Sequence, residues 1–298
     1  MKQQRIQLNK DISIYVNYTK GEKPPVLFLH FSGGTSAMWS GVLPHFLEEY
    51  EVIVPDLRGH GRSDRPEMGY HIDDMAQDMF LLLRKLGIAQ CHVVGSSLGA
   101  EVGLCLAADH PEMVISLVCE GALYNEFGEY GLFVGTEEEA EREKARVIAE
   151  LPKRQVPVYD TPSEYSAEVR SSFEGLGLWN EYFSAFAEST MVQTEEGKFI
   201  SHYENRVRTE YISKYLDVKF DRYYKRVQCP ILFLPSEEDW NNERIRSIMH
   251  AFANMVKVCV IRRIPQSIHA YVWMQMPFVV SGAVKTFLTD VNRRTAVG

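Results

Sequence analysis

No run of about 18 apolar residues occurs in the chain, so nothing in it reads as a membrane span. The first ten residues, Met1 to Lys10, lack the apolar core of a secretory signal, and export by that route is not expected. There is no CxxC pair. The five cysteines, Cys91, Cys105, Cys119, Cys229 and Cys259, are odd in number, scattered, and set in or beside apolar runs. That pattern points to buried free thiols in a reducing, cytoplasmic setting rather than to disulfides or a zinc site. A basic surplus is also missing: 32 Lys and Arg face 40 Asp and Glu, for a formal charge of −8. Non-specific nucleic-acid binding, which rests on phosphate neutralisation, is therefore not expected. Metal-ligand and phosphate-loop spacings are absent, as are internal repeats and low-complexity tracts, so neither a metal nor an organic cofactor is implied. What is present is a 298-residue chain, 45% hydrophobic, enough for a full core in one large domain or one domain with a sizeable insert. Nothing in the sequence specifies an oligomeric state.

Short apolar runs alternate with helical periodicity through the first half. Val26–Leu29, Val52–Val54, His92–Val94 and Val114–Val118 read as strands. Met38–Leu47, Ile72–Leu86 and Ala100–Ala108 read as helices between and after them. Near-continuous Val, Ile and Leu in the strands predict an α/β fold: a mostly parallel sheet with helices on both faces. The rhythm stops near Leu123 and resumes at Pro230. Residues 1–123 and 229–298 are expected to form the two parts of one core, with 124–228 a helical cap inserted between them. Inside the insert, Thr136 and Glu139 have capping-box spacing, and Thr161–Pro162 repeats a helix start. The insert carries 14 basic and 20 acidic residues, most of the negative excess, as a solvated helical surface would. After it come a strand at Ile231–Leu234, a helix at Asn242–Met255, a strand at Val256–Ile261 and a closing helix at Pro277–Val291.

The strongest chemical signal is Gly95-Ser96-Ser97-Leu98-Gly99, a G-x-S-x-G pattern with a strand before it and a helix after it. A serine on so tight a turn needs small neighbours, and the two glycines supply them. The Ser97 hydroxyl is then expected to project above the sheet at a helix N-terminus, where the Leu98 amide faces a developing oxyanion. Serine is a weak nucleophile at neutral pH and needs an oriented base. Of nine histidines, His269 lies in a loop after the last strand, on the edge that carries the Ser97 turn. The orienting acid is expected at a strand end between Ser97 and His269. Asp239 is favoured, with Glu237 and Glu238 as local competitors and Glu120 as a distant one. His30 is read as bracing the first crossover loop.

These residues resemble the α/β-hydrolase superfamily, in its cap-bearing serine-hydrolase form. The similarity covers Leu27–His30 with Ser32–Gly34 and Trp39, Pro55–Asp64, Gly95–Gly99, Pro230–Asp239 and Ile264–His269. The resemblance implies Ser97 as nucleophile, Asp239 as acid, His269 as base, and the Ser32 amide as second oxyanion donor. It assigns the Asp56–Asp64 stretch a bracing role. Three positions depart from the family pattern, each where glycine is usual: Phe31 after His30, Ser236 opening the acid loop, and Gln266–Ile268 before the base.

With serine at position 97, acyl transfer is the expected chemistry. The substrate expected is a small molecule, namely a small or medium, largely apolar carboxylic ester, thioester or lactone. Two alternatives stand beside it: hydrolysis of a carbon–carbon bond in a vinylogous diketone, suggested by Ser32–Gly33, and a receptor-like ligand-binding protein with negligible turnover. Trp179, Tyr182, Phe183 and Phe186 share one helical face. Packing of cap on core accounts for such a stripe. Alternatively Phe31, Trp179, Phe183 and Trp240 line an apolar substrate pocket over Ser97.

Overall fold

The structure is a computed structural model and describes residues 1–295. In chain order its regular elements are β1 (Lys2–Gln7), β2 (Ser13–Tyr18), β3 (Pro25–Leu29), β4 (Glu51–Pro55), α1 (Ile72–Leu86), β5 (Cys91–Ser96), α2 (Leu98–Asp109) and β6 (Val114–Glu120). There follow α3 (Glu137–Glu150), α4 (Pro162–Glu174), α5 (Glu181–Thr190), β7 (Met191–Gln193), β8 (Phe199–Ser201), α6 (Asn205–Tyr215) and α7 (Phe220–Tyr224). The chain then returns through β9 (Ile231–Phe233), α8 (Glu237–Asn241), α9 (Glu243–Ala253), β10 (Cys259–Ile261), α10 (Val272–Gln275) and α11 (Pro277–Thr295).

Eight strands form one sheet in the order β1-β2-β4-β3-β5-β6-β9-β10. From β4 to β10 all neighbours are parallel, and β1 and β2 add an antiparallel edge. The apolar strand residues are split by the pleat into two cores. Leu27, Leu29, Val93, Leu117, Cys119, Ile231 and Phe233 face a cluster with α1, α2, α7 and α9. Val26, Phe28, Val94, Val118 and Leu232 face the other, with Trp39, Trp273 and α11. Alternation of buried side chains between two helical layers is what near-continuous apolar strands require.

Several elements differ from the sequence expectation. The β1–β2 hairpin was not foreseen, although β2 alternates buried Ile14, Val16 and Tyr18 with half-exposed residues. Met38–Leu47 is not one helix but two 3₁₀ turns, Ser36–Trp39 and Leu43–His45, with Gly41 between them and Pro44 in the first turn of the second, where its missing N–H is tolerated. Trp179 precedes α5 rather than belonging to it, because Asn180 caps that helix through the Tyr182 and Phe183 amides. Between Glu120 and Ile231 the chain leaves the main sheet, forming α3–α7 and a small β7–β8 hairpin. The Thr136–Glu139 capping box and the Thr161 cap with Pro162 are both formed. Four cysteines are buried, Cys259 is half-buried, and all five are free thiols. Among the described residues no helix is long and apolar enough to cross a membrane.

Candidate active site

Parallel strands deliver their loops to one sheet edge, and β5, β6, β9 and β10 each end there beside the next. At the end of β5 the backbone turns directly into α2 through Ser97, at φ 49° and ψ −116°. For a residue with a Cβ this is a strained conformation, costing about 1–3 kcal/mol. The surrounding packing holds it there. A Cβ at Gly95 would lie 2.4 Å from the Gly99 carbonyl oxygen, and one at Gly99 would lie 2.1 Å from that of Leu29. The Ser97 amide donates to the Glu120 carbonyl at 2.5 Å, tying the turn to the end of β6.

Ser97 Oγ lies 3.2 Å from His269 Nε2. On the far side of the ring, Nδ1 stands 2.9 Å from Glu120 Oε1 and 3.7 Å from Asp239 Oδ2. The contact to Glu120 has the distance of an ion pair, but the ring N–H is bent away from the oxygen and makes no aligned hydrogen bond. Such contacts commonly tighten only once substrate is bound. Glu120 is buried, and both its oxygens are held: Ala270 N–H donates to Oε1 at 2.8 Å, while Ser96 Oγ and Trp273 Nε1 donate to Oε2 at 2.7 and 3.2 Å. Ala270 itself has φ 64°, so the base loop carries strain beside the histidine.

Asp239, expected as the carboxylate paired with His269, thus stands farther from it than Glu120 does. The cause is local. Asp239 is the third residue of α8 and closes a capping box with Ser236, whose amide and hydroxyl both donate to Oδ2, at 3.0 and 2.8 Å. The oxygen nearest His269 is thus already engaged. Glu237 is directed outward to Arg263 and the Gln266 amide, and among the described residues no ion pair joins Glu238 to His269. For His269, burial acts to lower the pKa. The carboxylates of Glu120, then Asp239 and Glu101, outweigh it and lift the imidazole to about 9.

Ser32 lines the cavity at Ser97, and its hydroxyl pairs with Tyr203 at 2.7 Å. Among the described residues neither the Ser32 nor the Leu98 amide is engaged by an acceptor. His30 braces the crossover as expected: Leu57 N–H donates to Nε2 at 2.9 Å, leaving Nδ1–H for the Phe31 carbonyl at 2.8 Å. Asp56 likewise accepts from the Ser36 and Arg62 amides.

A cavity of about 600 Å³ opens over Ser97 and His269. Its walls come from the chain after β6 (Gly121–Tyr124, Glu126, Phe127, Leu132, Phe133), from α3 (Glu143, Val147) and from α6 (Tyr211, Ile212, Tyr215, Leu216). None of the four residues expected to bind substrate is among them. Phe31 packs at a tilt on Phe186 and edge-to-face on Tyr271, and Phe183 is fully buried against Phe173 and Tyr271. Trp179 packs on the same core under Arg170, and Trp240 packs near Arg246 and His250. The aromatic face fastens cap to core, as a helical stripe at that spacing commonly does.

Sequence reasoning missed Glu101 and Tyr211. Glu101 lines the cavity one turn beyond Ser97 and is 4% exposed, with Tyr211 donating to Oε2 at 2.8 Å. A signal existed: Glu101 is the sole charged residue in α2 before its last position, inside an otherwise apolar helix.

A family model described as alpha/beta hydrolase fold matches residues 24–258. Over 99 residues the chain is 38% identical to 2-(acetamidomethylene)succinate hydrolase of Mesorhizobium japonicum, covering 33% of this chain and 36% of that one. Over 104 residues it is 34% identical to 3-oxoadipate enol-lactonase 2 of Acinetobacter baylyi, covering 35% and 39%. The matches thus span only about a third of the length of these curated relatives. Among solved structures, E-2-(acetamidomethylene)succinate hydrolase superposes with a TM-score of 0.75 at 22% identity, over 97% of this chain and 99% of that one, which is likeness of fold.

Proposed function

Since the chain belongs to the alpha/beta hydrolase fold family, we propose that it is a serine hydrolase using Ser97 as nucleophile, His269 as base and Glu120 as the orienting acid. One observation carries the reading. A serine held in a strained turn and a histidine 3.2 Å from it line one cavity, with a buried carboxylate 2.9 Å beyond the histidine. The relatives named for hydrolase and lactonase activities support the same class.

In the reaction Ser97 Oγ attacks a carbonyl carbon while its proton passes to His269 Nε2. The oxyanion is received by the Leu98 and Ser32 amides, each supplying about 2.7–4 kcal/mol of transition-state stabilisation. The tetrahedral intermediate collapses, and His269 protonates the departing alcohol or thiol. Water, deprotonated by His269, then attacks the acyl-enzyme and releases the acid and Ser97. A cavity of about 600 Å³ suits a small or medium ester, thioester or lactone. Carbon–carbon cleavage of an anionic dienone acid gains no support: no Lys or Arg lines the cavity among the described residues, and three glutamates do.

The test is stoichiometric labelling by a fluorophosphonate, together with hydrolysis of short nitrophenyl esters. Wild type is expected to label rapidly and to turn over ester, with both lost in Ser97→Ala. Labelling that survives in Ser97→Ala would move the nucleophile elsewhere. A wild type that binds ligand tightly yet neither labels nor turns over would establish the receptor-like alternative.

A further inference from the structure

The cavity's charge is unusual for a site built to hold a carboxylate-bearing substrate. Besides Asp239 it is lined by Glu101, Glu126 and Glu143, with His269 as the basic side chain in its wall and no Lys or Arg among the described lining residues. Glu143 is paired with Arg146 at the rim, and Glu126 Oε1 accepts from Tyr215 at 3.0 Å. Glu101 differs from both. It is almost completely buried and lines the cavity, Tyr211 donates to Oε2, and among the described residues no protein group donates to Oε1. A carboxylate oxygen accepts only, so one that no protein group serves is free to take a donor from a bound substrate. Four residues of helix advance about 6 Å, and Ser97 and Glu101 line the same cavity, so one small substrate can reach both.

Resting on the serine-hydrolase reading, we propose that the substrate carries a protonated amine seated against Glu101, with the Tyr211 and Tyr215 rings beside it: an aminoacyl or aminoalkyl ester rather than a dicarboxylate. The surrounding groups agree with that occupant. Burial pushes the Glu101 carboxyl up to about 8, against the Tyr211 hydrogen bond and the charge of His269 and with the help of Glu126. Tyr211 and Tyr215 are neutral phenols, their pKa values driven well above the usual range chiefly by burial. At pH 7 the empty cavity therefore keeps Glu101 mostly protonated. An ammonium ion that enters ionises it, with one proton leaving to solvent for each ion pair formed. Aromatic faces add to the attraction for a desolvated cation.

The experiment uses full-length Ser97→Ala protein, so that it depends on no turnover. Titration calorimetry at pH 7 compares hexylammonium, hexan-1-ol and hexanoate, in two buffers of different ionisation enthalpy. Hexylammonium is expected to bind at least tenfold more tightly than the alcohol, with hexanoate weakest, and to release close to one proton. Adding Glu101→Gln is expected to abolish both the preference and the proton release while leaving the alcohol's affinity within about threefold. Proton release in the parent protein is a second readout that does not require that variant to fold. Equal binding of alcohol and ammonium, ammonium binding without proton release, or a preference that survives Glu101→Gln would each overturn the proposal. Fluorophosphonate labelling of the wild type reports on Ser97 alone, so the hydrolase reading and the amine reading fail separately.

Discussion

Glu120 and Asp239 stand at the carboxyl ends of two hydrogen-bonded strands, β6 and β9, where Cys119 is paired with Phe233. Both reach the same nitrogen of His269, yet they are held in different ways. Glu120 closes its strand and is fixed by donors that approach from the side: an amide, a serine hydroxyl and an indole. Asp239 lies within a helix cap and turns its nearer oxygen back to Ser236. The 0.8 Å by which it stands further off has unequal consequences for charge and for orientation. Coulomb attraction falls only as the inverse of distance, and two unit charges 4 Å apart still interact by about 4 kcal/mol at an effective dielectric of 20. Hydrogen bonding is less tolerant: Glu120 Oε1 at 2.9 Å is within its range once the ring aligns, and Asp239 Oδ2 at 3.7 Å is not. Both acids therefore act on the charge at His269, while Glu120 is the one proposed to orient it.

The largest expected effect separates these roles. Glu120→Gln is expected to lower kcat by about 10³–10⁴, the scale of losing the group that orients a catalytic imidazole. Asp239→Asn is expected to cost about tenfold or less. Steady-state kinetics on one ester decide it, and a larger loss in Asp239→Asn would invert the assignment.

A smaller effect concerns pH. A base with a pKa near 9 is mostly protonated at pH 7, so kcat/KM of the free enzyme is expected to rise with pH through about 9 rather than levelling near 7. Asp239→Asn removes one of the charges that raise it and is expected to move that limb toward the ordinary histidine range. The same shift is linked to stability. Because the folded pKa lies above the unfolded value near 6.5, the contribution of His269 is complete below pH 6.5 and is lost as pH rises through about 9. Denaturant midpoints measured at pH 6 and pH 9 are expected to fall over this interval, and less in Asp239→Asn. A rate limb unmoved by Asp239→Asn would show that the two acids do not share the charge.

The architecture and two members of the proposed catalytic set were legible because each is written locally. Strand residues apolar on both faces announce a covered parallel sheet, and Gly95 and Gly99 are required by backbone contacts within a few residues of Ser97 or across one strand. The choice of acid was not local. It depends on whether a carboxylate is already engaged, and that was encoded at Ser236, a departure from glycine whose capping consequence emerges only with the backbone of α8 in view. The wall of the cavity over Ser97 was not legible for a related reason. The stripe around Phe183 fits core packing and pocket lining equally well by periodicity, while the actual lining comes from α3, α6 and the chain after β6, which periodicity does not place over Ser97.

Ser236 then offers the finest way to probe how the two acids differ. Ser236→Ala removes the hydroxyl that donates to Asp239 Oδ2 and the cap that accepts from the Asp239 amide at 3.1 Å. The loss of such a cap costs about 1 kcal/mol, roughly 2 °C in melting temperature for a chain of this size. In the wild-type background kcat is expected to change by less than threefold, because Glu120 still orients the base. In the Glu120→Gln background the same change frees one of two bonds that hold Asp239 away from Nδ1, and it is expected to restore about tenfold of the lost kcat. Two substitutions that each remove an interaction would then combine to less damage than one alone, a coupling that contact between the sites permits and independent sites do not. If the double variant is slower than Glu120→Gln by the cost of Ser236→Ala alone, the cap is not what withholds Asp239, and the reach of its backbone is.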